Sequence, residues 1–163
     1  ALIPAYLSGL SHKKIAEGLG SFLPPEHRLE QIRSGGNLFI NDSKATNVAS
    51  TLVALKSSRA GIILIMGGRD KGSPYIPLYR QVSEKVDLLL ANGEAAQKIR
   101  KELAGSTEIV LHKTLAQNLS YLKKAIRPAE TTVLLSPACS SFDQFSNYED
   151  RGRYFKKRVK NDF

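Results

Sequence analysis

Tryptophan is absent from these 163 residues, cysteine and methionine occur once each, and aromatic residues make up only 7%. A single cysteine, Cys139, excludes an internal disulfide framework and a zinc site built from clustered thiolates, and it fits a reducing compartment. No apolar run approaches the ~18 residues that a membrane-crossing helix needs. The apolar start, ALIPAYLSGL, is short, lacks a basic flank and runs straight into His12, Lys13 and Lys14, so it reads poorly as a secretory signal. Internal repeats and low-complexity stretches are missing as well.

Acidic residues are in deficit, with 15 Asp and Glu against 24 Lys and Arg, a formal charge of +9. Such an excess draws anions: nucleic acid, phosphorylated or carboxylated small molecules, or an acidic partner. The densest run, Arg151, Arg153, Lys156, Lys157, Arg158 and Lys160, is interleaved with Tyr154, Phe155 and Val159. It reads as an amphipathic helix with a solvated basic outer face, a reading preferred over a nucleic-acid patch because cations in the last turns suit the helix dipole.

Hydropathy patterning organises the chain. Residues 11–20 read as a helix with Ser11 as N-cap, and the paired prolines Pro24 and Pro25 end that unit by forcing extended backbone. A boundary is therefore expected near Ser21–Glu26, with residues 1–22 a helical remnant of a preceding domain and 23–163 the domain proper. Leu29–Arg33 and Asn37–Asn41 read as strands around a Gly35-Gly36 turn. Helices are expected over 47–57, 75–85, 94–103 and 114–126 and from about Asn147, with strands over 61–66, 87–91, 108–111 and 131–135. The run Gly61–Met66 is apolar without alternation, the pattern of a strand buried on both faces of a parallel sheet. Five strands alternating with five helices point to an α/β fold: a Rossmann-like, doubly wound, mostly parallel sheet.

Ligands of such sheets bind beyond the carboxyl ends of the strands. Three of the loops expected there carry more than turn chemistry. Asp42-Ser43-Lys44-Ala45-Thr46-Asn47 serves either as a strand-to-helix turn capped by Thr46 or Asn47, or as a site. In the second reading Lys44 meets an anion, Asp42 takes a hydroxyl or a metal-bound water, and Thr46 donates a hydrogen bond. Gly67-Gly68-Arg69-Asp70-Lys71-Gly72 puts two glycines directly after a buried strand, which lets backbone approach a ligand and offers Lys71 to a carboxylate or phosphate. It matches neither GxxxxGK(S/T) nor GxGxxG. Ser136–Phe145 offers the Ser140 and Ser141 hydroxyls, and Phe142 and Phe145 need burial or a ligand. Cys139 in that loop reads as a small buried thiol rather than a nucleophile, having no histidine near it in sequence. His12 and His112 read as surface residues, and His27, beside Arg28 at the domain junction, is the more suggestive histidine.

Taken together, Asn41–Asn47, Gly67–Gly72 and Ser136–Phe145 with Glu149 and Arg151-Gly152 resemble the C-terminal domain of the ATP-dependent Mur ligases of bacterial cell-wall synthesis. The string Asp-Ser-Lys-Ala-Thr-Asn resembles the branch that adds D-glutamate, and His27-Arg28 resembles the pair that precedes this domain. The resemblance implies a cytoplasmic bacterial enzyme that joins D-glutamate to UDP-N-acetylmuramoyl-L-alanine through an acyl phosphate. ATP and Mg2+ are its cofactors, with their main sites in domains outside this chain, and neither nucleic acid nor membrane is a partner. It further implies a D-glutamate pocket of Thr46, Lys71, Ser141, the Phe142 backbone and Tyr148. Tyr148 stands where the family often has Phe. Arg28, Asp42 and Lys44 would face the nucleotide, with Asp42 and Lys44 in catalytic roles and no metal ligand in this chain.

Residues 1–22 would then be the tail of the central ATPase domain. A rival reading is a basic α/β module for RNA or an acidic partner. It leaves the strand-end loops without purpose and lacks the aromatic content that stacking on bases uses. A stand-alone nucleotide-binding Rossmann enzyme ranks third, for want of a glycine fingerprint. With no phosphate-loop motif in the chain, these 163 residues alone are expected to turn over no ATP and form no product. Ligase turnover by this chain in isolation would reverse that expectation.

Overall fold

The computed structural model describes residues 2–20, 25–126 and 131–163. The expected domain boundary near Ser21–Glu26 falls largely outside them. Before it lie two short helices, α1 (Leu2–Leu7) and α2 (His12–Gly20). The Lys14 N–H donates to Ser11 Oγ, as an N-cap serine allows, and the Tyr6 ring stacks on His12 with centroids 5.2 Å apart.

The rest is one six-stranded sheet, in which the strands, counted in chain order, lie in the order one, two, six, three, four, five. Strands β1 (Glu30–Ser34) and β2 (Asn37–Asn41) form an antiparallel hairpin. Gly35 and Gly36 both sit at positive φ, 54° and 79°, which a two-residue hairpin turn twisted to match its strands demands. All other pairings are parallel, among β2, β6 (Thr132–Leu135), β3 (Ile62–Gly67), β4 (Val86–Asn92) and β5 (Glu108–His112). The five alternating strands and helices are thus as read from sequence, with β1 as a sixth, antiparallel edge.

The chain steps outward from β2 past the place of β6 to β3, β4 and β5. It uses α3 (Val48–Ser57), α4 (Tyr79–Lys85) and α5 (Ala96–Glu102), all packed on one face. It returns by α6 (Leu115–Ala125) on the other face, inserts β6 between β2 and β3, and closes with α7 (Tyr148–Asp162) on that second face. The reversal makes β2, β6 and β3 adjacent. Their carboxyl ends carry the three loops singled out above.

Period-two alternation builds the two cores. From β3, Leu64 and Met66 pack with Leu55, Val82 and Ile99 on the first face, whereas Ile65 packs with Leu119, Phe155 and Val159 on the second. Leu64, Ile65 and Met66 have no exposed surface, the outcome expected of an unalternating apolar run. Side chains close the helix ends. Asn47 accepts the Ser50 N–H, Thr114 the Gln117 N–H and Asn147 the Asp150 N–H. Lys85 Nζ donates to the carbonyls of Leu55, Lys56 and Ser58, capping the end of α3 from below.

Two expectations need correction. The segment 75–85 is not one helix, because Pro77 favours a 3-10 turn over Ile76–Leu78 before α4 begins. Arg151, counted with the basic outer face, is only 3% exposed and points inward. Phe155→Ala removes a fully buried ring that meets Phe39 edge-on on the second face. It should cost ~3–5 kcal/mol in urea unfolding; a loss under ~1 kcal/mol would show that α7 is not part of the core.

Candidate functional site

The loop after β2 turns sharply. Asp42 N–H donates to the Leu135 carbonyl of β6, Ala45 N–H to the Asp42 carbonyl, and Lys44 N–H to the His27 carbonyl. That last bond draws the 25–29 segment over the turn, so Arg28 and Leu29 join Asp42, Lys44, Ala45, Thr46, Asn47 and Ser50 around an open cleft of about 450 Å³. Val53 and Ala54 of α3 supply its apolar wall. Arg28, Asp42, Lys44 and Thr46, chosen from sequence, therefore share one cavity.

Asp42 is nearly buried, at 7% exposure, and Ser136 Oγ donates to its Oδ2 at 2.9 Å. Burial raises its pKa to about 6; hydrogen bonds from the Ser136 hydroxyl and the Leu29 backbone, with the charge of Arg28, hold the rise in check. Lys44 Nζ lies 3.8 Å from the centroid of the Tyr148 ring, a cation–π seat that links the first loop to the start of α7. Ser43 Oγ donates to the Tyr148 carbonyl at 2.8 Å, fixing that ring's backbone.

Beside this cleft stand the loops after β6 and β3. They are stitched by the Gly67 N–H to the Pro137 carbonyl and the Arg69 N–H to the Ser140 carbonyl. A Cβ on Gly68 would collide with the Ser140 carbonyl, so the close approach requires glycine there, at φ 133°. Ser141 is buried, while Lys71 and Phe142 are exposed. Lys71 has no ion pair among the described residues. Lys71, Ser141 and Phe142 are outside the lining of the 450 Å³ cleft and lie on the adjoining rim of the same sheet edge. Phe145 is half-buried and packs against the second core.

The contacts of three residues around the candidate site are not legible in the sequence, although Arg151 and His27 are among the residues that carry the resemblance. Arg151 donates from Nε to Ser43 Oγ (3.0 Å) and from Nη2 to the carbonyls of Ser43 (2.9 Å) and Cys139 (3.1 Å). Its place on the stripe Tyr148, Arg151, Gly152, Phe155, Val159 was a helical-period signal that the basic context masked. Ser136 gave no signal beyond its place at a strand end. His27 was noticed without its surroundings: it is buried at φ 64° and its Nδ1 lies 3.0 Å from Asn41 Nδ2. Its ring fills the space that a side chain at position 152 would need. His112 departs from the surface reading, being half-buried, with Nδ1 2.7 Å from Asn118 Oδ1 and its ring against Tyr121. It lines a wider cleft of about 730 Å³ at the end of β5 that holds none of the candidate site residues.

The basic run of α7 is largely engaged within the chain: Lys156 pairs with Glu26 and Glu30, Arg158 with Asp162, and Arg153 with Asp150. Cys139 is buried and its thiol is pushed up to about 11, mainly by burial, which suits a structural thiol. Among the described residues, no group of three His, Cys, Asp or Glu is placed to hold a metal ion, and no helix is long and apolar enough to cross a membrane.

The structure is thus an α/β domain with a wound, mostly parallel sheet, whose carboxyl edge carries an open cleft with Arg28 and Lys44 and, in the loop after β3, the exposed Lys71. Residues 27–139 match the family described as Mur ligase, glutamate ligase domain, and the chain belongs to that family. Over 160 residues it is 44% identical to a UDP-N-acetylmuramoylalanine–D-glutamate ligase from Solibacter usitatus, an alignment covering 98% of this chain and 36% of that protein. A protein of the same name from Myxococcus xanthus is 41% identical over 98% of this chain and 35% of its own length. The fold is similar to that of MurF from Acinetobacter baumannii, with a TM-score of 0.67 at 23% identity, over 93% of this chain and 35% of that one. The chain spans about a third of the length of the proteins it matches.

The raised pKa of Asp42 has a defined consequence for stability. The folded state favours the protonated acid, so its contribution is fully present below the ordinary value of 3.8 and is lost as pH rises through about 6. At neutral pH the buried ion costs ~2–3 kcal/mol. Asp42→Asn should therefore raise the melting temperature by about 5 °C at pH 7.5, an advantage that disappears below pH 4. An equal gain at both pH values, or none, would contradict this account.

Proposed function

We propose that this chain is the D-glutamate-binding, C-terminal part of an ATP-dependent ligase of the bacterial cytoplasm that joins D-glutamate to UDP-N-acetylmuramoyl-L-alanine. The observation that carries the reading is the adjacency of β2, β6 and β3, which puts three sequence-distant loops of cations and hydroxyls on one edge. The name and 44% identity of the Solibacter relative support the same reading. In it, residues 1–22 are the helical tail of the central ATPase domain, and 23–163 form the Rossmann-like domain.

D-glutamate carries two carboxylates, and charge-assisted hydrogen bonds hold such groups far better than neutral ones. Lys71 and the Thr46 hydroxyl would take one carboxylate, and the Ser141 hydroxyl with the Phe142 N–H the other. The Tyr148 ring would form the wall between them. That leaves the amine free toward the cleft of Arg28, Asp42 and Lys44. The cleft's residues fit a nucleotide's phosphates and ribose: two cations flank one carboxylate that can accept from a hydroxyl. Thr46 lines that cleft as well, so it marks the seam between the two substrates.

When ATP is bound, the terminal carboxylate of the nucleotide-sugar substrate accepts the γ-phosphoryl group, and the resulting acyl phosphate is attacked by the amine of D-glutamate with loss of phosphate. Lys44 and Arg28 would offset negative charge on the transferring group. Asp42, ionised above pH ~6, would orient the nucleotide. Mg2+ belongs to the other domains in this reading, and no step here depends on it. Closure of this domain onto the ATPase would exclude water from the acyl phosphate.

The test is steady-state kinetics of the complete ligase. Lys71→Ala should raise the KM for D-glutamate about tenfold or more, the equivalent of one charge-assisted hydrogen bond, with the KM for ATP changed less than about twofold. Lys44→Ala should instead lower kcat by about 100-fold. Equal effects of Lys71→Ala on both substrates, or none on either, would defeat the assignment.

A further inference from the structure

Lys71 is an exposed lysine in a glycine-flanked loop, and such a side chain ordinarily wanders. Its backbone, however, is pinned on both sides. Before it, the Arg69 N–H donates to the Ser140 carbonyl at 3.0 Å, and Asp70 is held through both carboxylate oxygens. Oδ1 accepts the Gly72 N–H and the Tyr75 hydroxyl, each at 3.1 Å, and Oδ2 accepts from Lys98 Nζ at 3.3 Å. After it, the Tyr75 N–H donates to Glu102 Oε2 at 2.5 Å, and Lys98 Nζ donates also to the Ser73 carbonyl at 3.0 Å. Lys98 and Glu102 are successive turns of α5, so a rigid helix grips the loop at two points.

The same network reaches the neighbouring loop. Tyr75 is 2% exposed, and its Oη lies 3.0 Å from the Sγ of Cys139, itself 1% exposed. With the tyrosine proton directed at the Asp70 carboxylate, the thiol is the donor, and the bonds run in one sense from Cys139 through Tyr75 to Asp70. Burial opposes the Asp70 charge. The Gly72 amide, Lys98 and the Tyr75 hydroxyl outweigh it and leave its pKa below the ordinary carboxylate value, so the acceptor at the centre is ionised at neutral pH. Cys139 is two residues before Ser141 and Asp70 immediately precedes Lys71.

We propose that Lys98, Asp70, Tyr75 and Cys139 form a positioning relay that fixes Lys71 relative to Ser141, and so presets the two ends of the amino-acid pocket. The proposal rests on the D-glutamate reading above. None of the four residues needs to touch substrate. Their effect is preorganisation, which removes the entropy cost of ordering the loop when the ligand arrives. Because the relay grips only the amino-acid side of the sheet edge, it should leave the nucleotide side untouched.

The experiment compares Tyr75→Phe, Lys98→Met and Lys98→Arg in the complete ligase, with Lys71→Ala as reference. Tyr75→Phe keeps the buried ring and deletes one hydroxyl. Together with Lys98→Met it should raise the KM for D-glutamate about fivefold, the equilibrium equivalent of one hydrogen bond. The KM for ATP and kcat at saturation should stay within about twofold, and Lys98→Arg should restore the D-glutamate KM. If Lys71→Ala raises the D-glutamate KM while Tyr75→Phe and Lys98→Met leave it unchanged, the relay is overturned and the functional reading survives. A parallel fall in every kinetic parameter of Tyr75→Phe and Lys98→Met would show a merely structural role and would also overturn it. If Lys71→Ala itself has no effect on D-glutamate, the functional reading falls and takes the relay with it.

Discussion

The guanidinium of Arg151 sits where the loops after β2 and β6 meet, almost wholly buried, and donates to Ser43 Oγ and to the carbonyls of Ser43 and Cys139. No carboxylate pairs with it among the described residues. Burial lowers its pKa to about 10, yet it stays charged at neutral pH. A buried cation held by carbonyls and one hydroxyl is costly to desolvate, and the protein keeps it because three chain segments share a single rigid, planar donor. Removing the side chain would take from the Ser43 and Cys139 carbonyls the donor they share. The turn that presents Asp42, Lys44 and Thr46 and the loop that presents Ser141 are thereby held in one geometry.

Several other features of the site trade stability for the same end. Asp42 is an acid buried against its own preference for water. His27 and Ala138 adopt left-handed backbone, and His27 is packed so tightly on α7 that position 152 admits only glycine. Each is a local cost accepted where loops converge, while the buried cores around β3, β4 and β6 supply the stability that sustains them. The non-glycine residues at positive φ among the described residues, His27, Leu29 and Ala138, lie at this one sheet edge, a distribution expected when the edge is where ligand binds.

Much of this was legible in the chain itself. Gly35-Gly36 announced its hairpin because only residues free to adopt positive φ fit that turn, and the unbroken apolar run through Met66 announced a doubly buried strand. The strand-end loops announced themselves by carrying more polar groups than capping requires, as Lys44 and Lys71 do. The inward placement of Arg151 is masked by the basic residues around it, and the contacts of Tyr75 by its place at the start of an expected helix. The partnership of Asp42 with Ser136 had no local signature, since the two are 94 residues apart.

Local propensity, hydrophobic period and turn chemistry act over a few residues, so the chain on its own determined the elements, their order, the α/β class and the chemical character of each loop. It could not determine which loops would be neighbours. That was decided by the insertion of β6 between β2 and β3, a long-range pairing driven by burial of both sheet faces. That pairing brought Asp42 to Ser136, Arg151 to Ser43 and Cys139, and Tyr75 to Cys139, turning three sequence-distant polar loops into neighbours on one sheet edge.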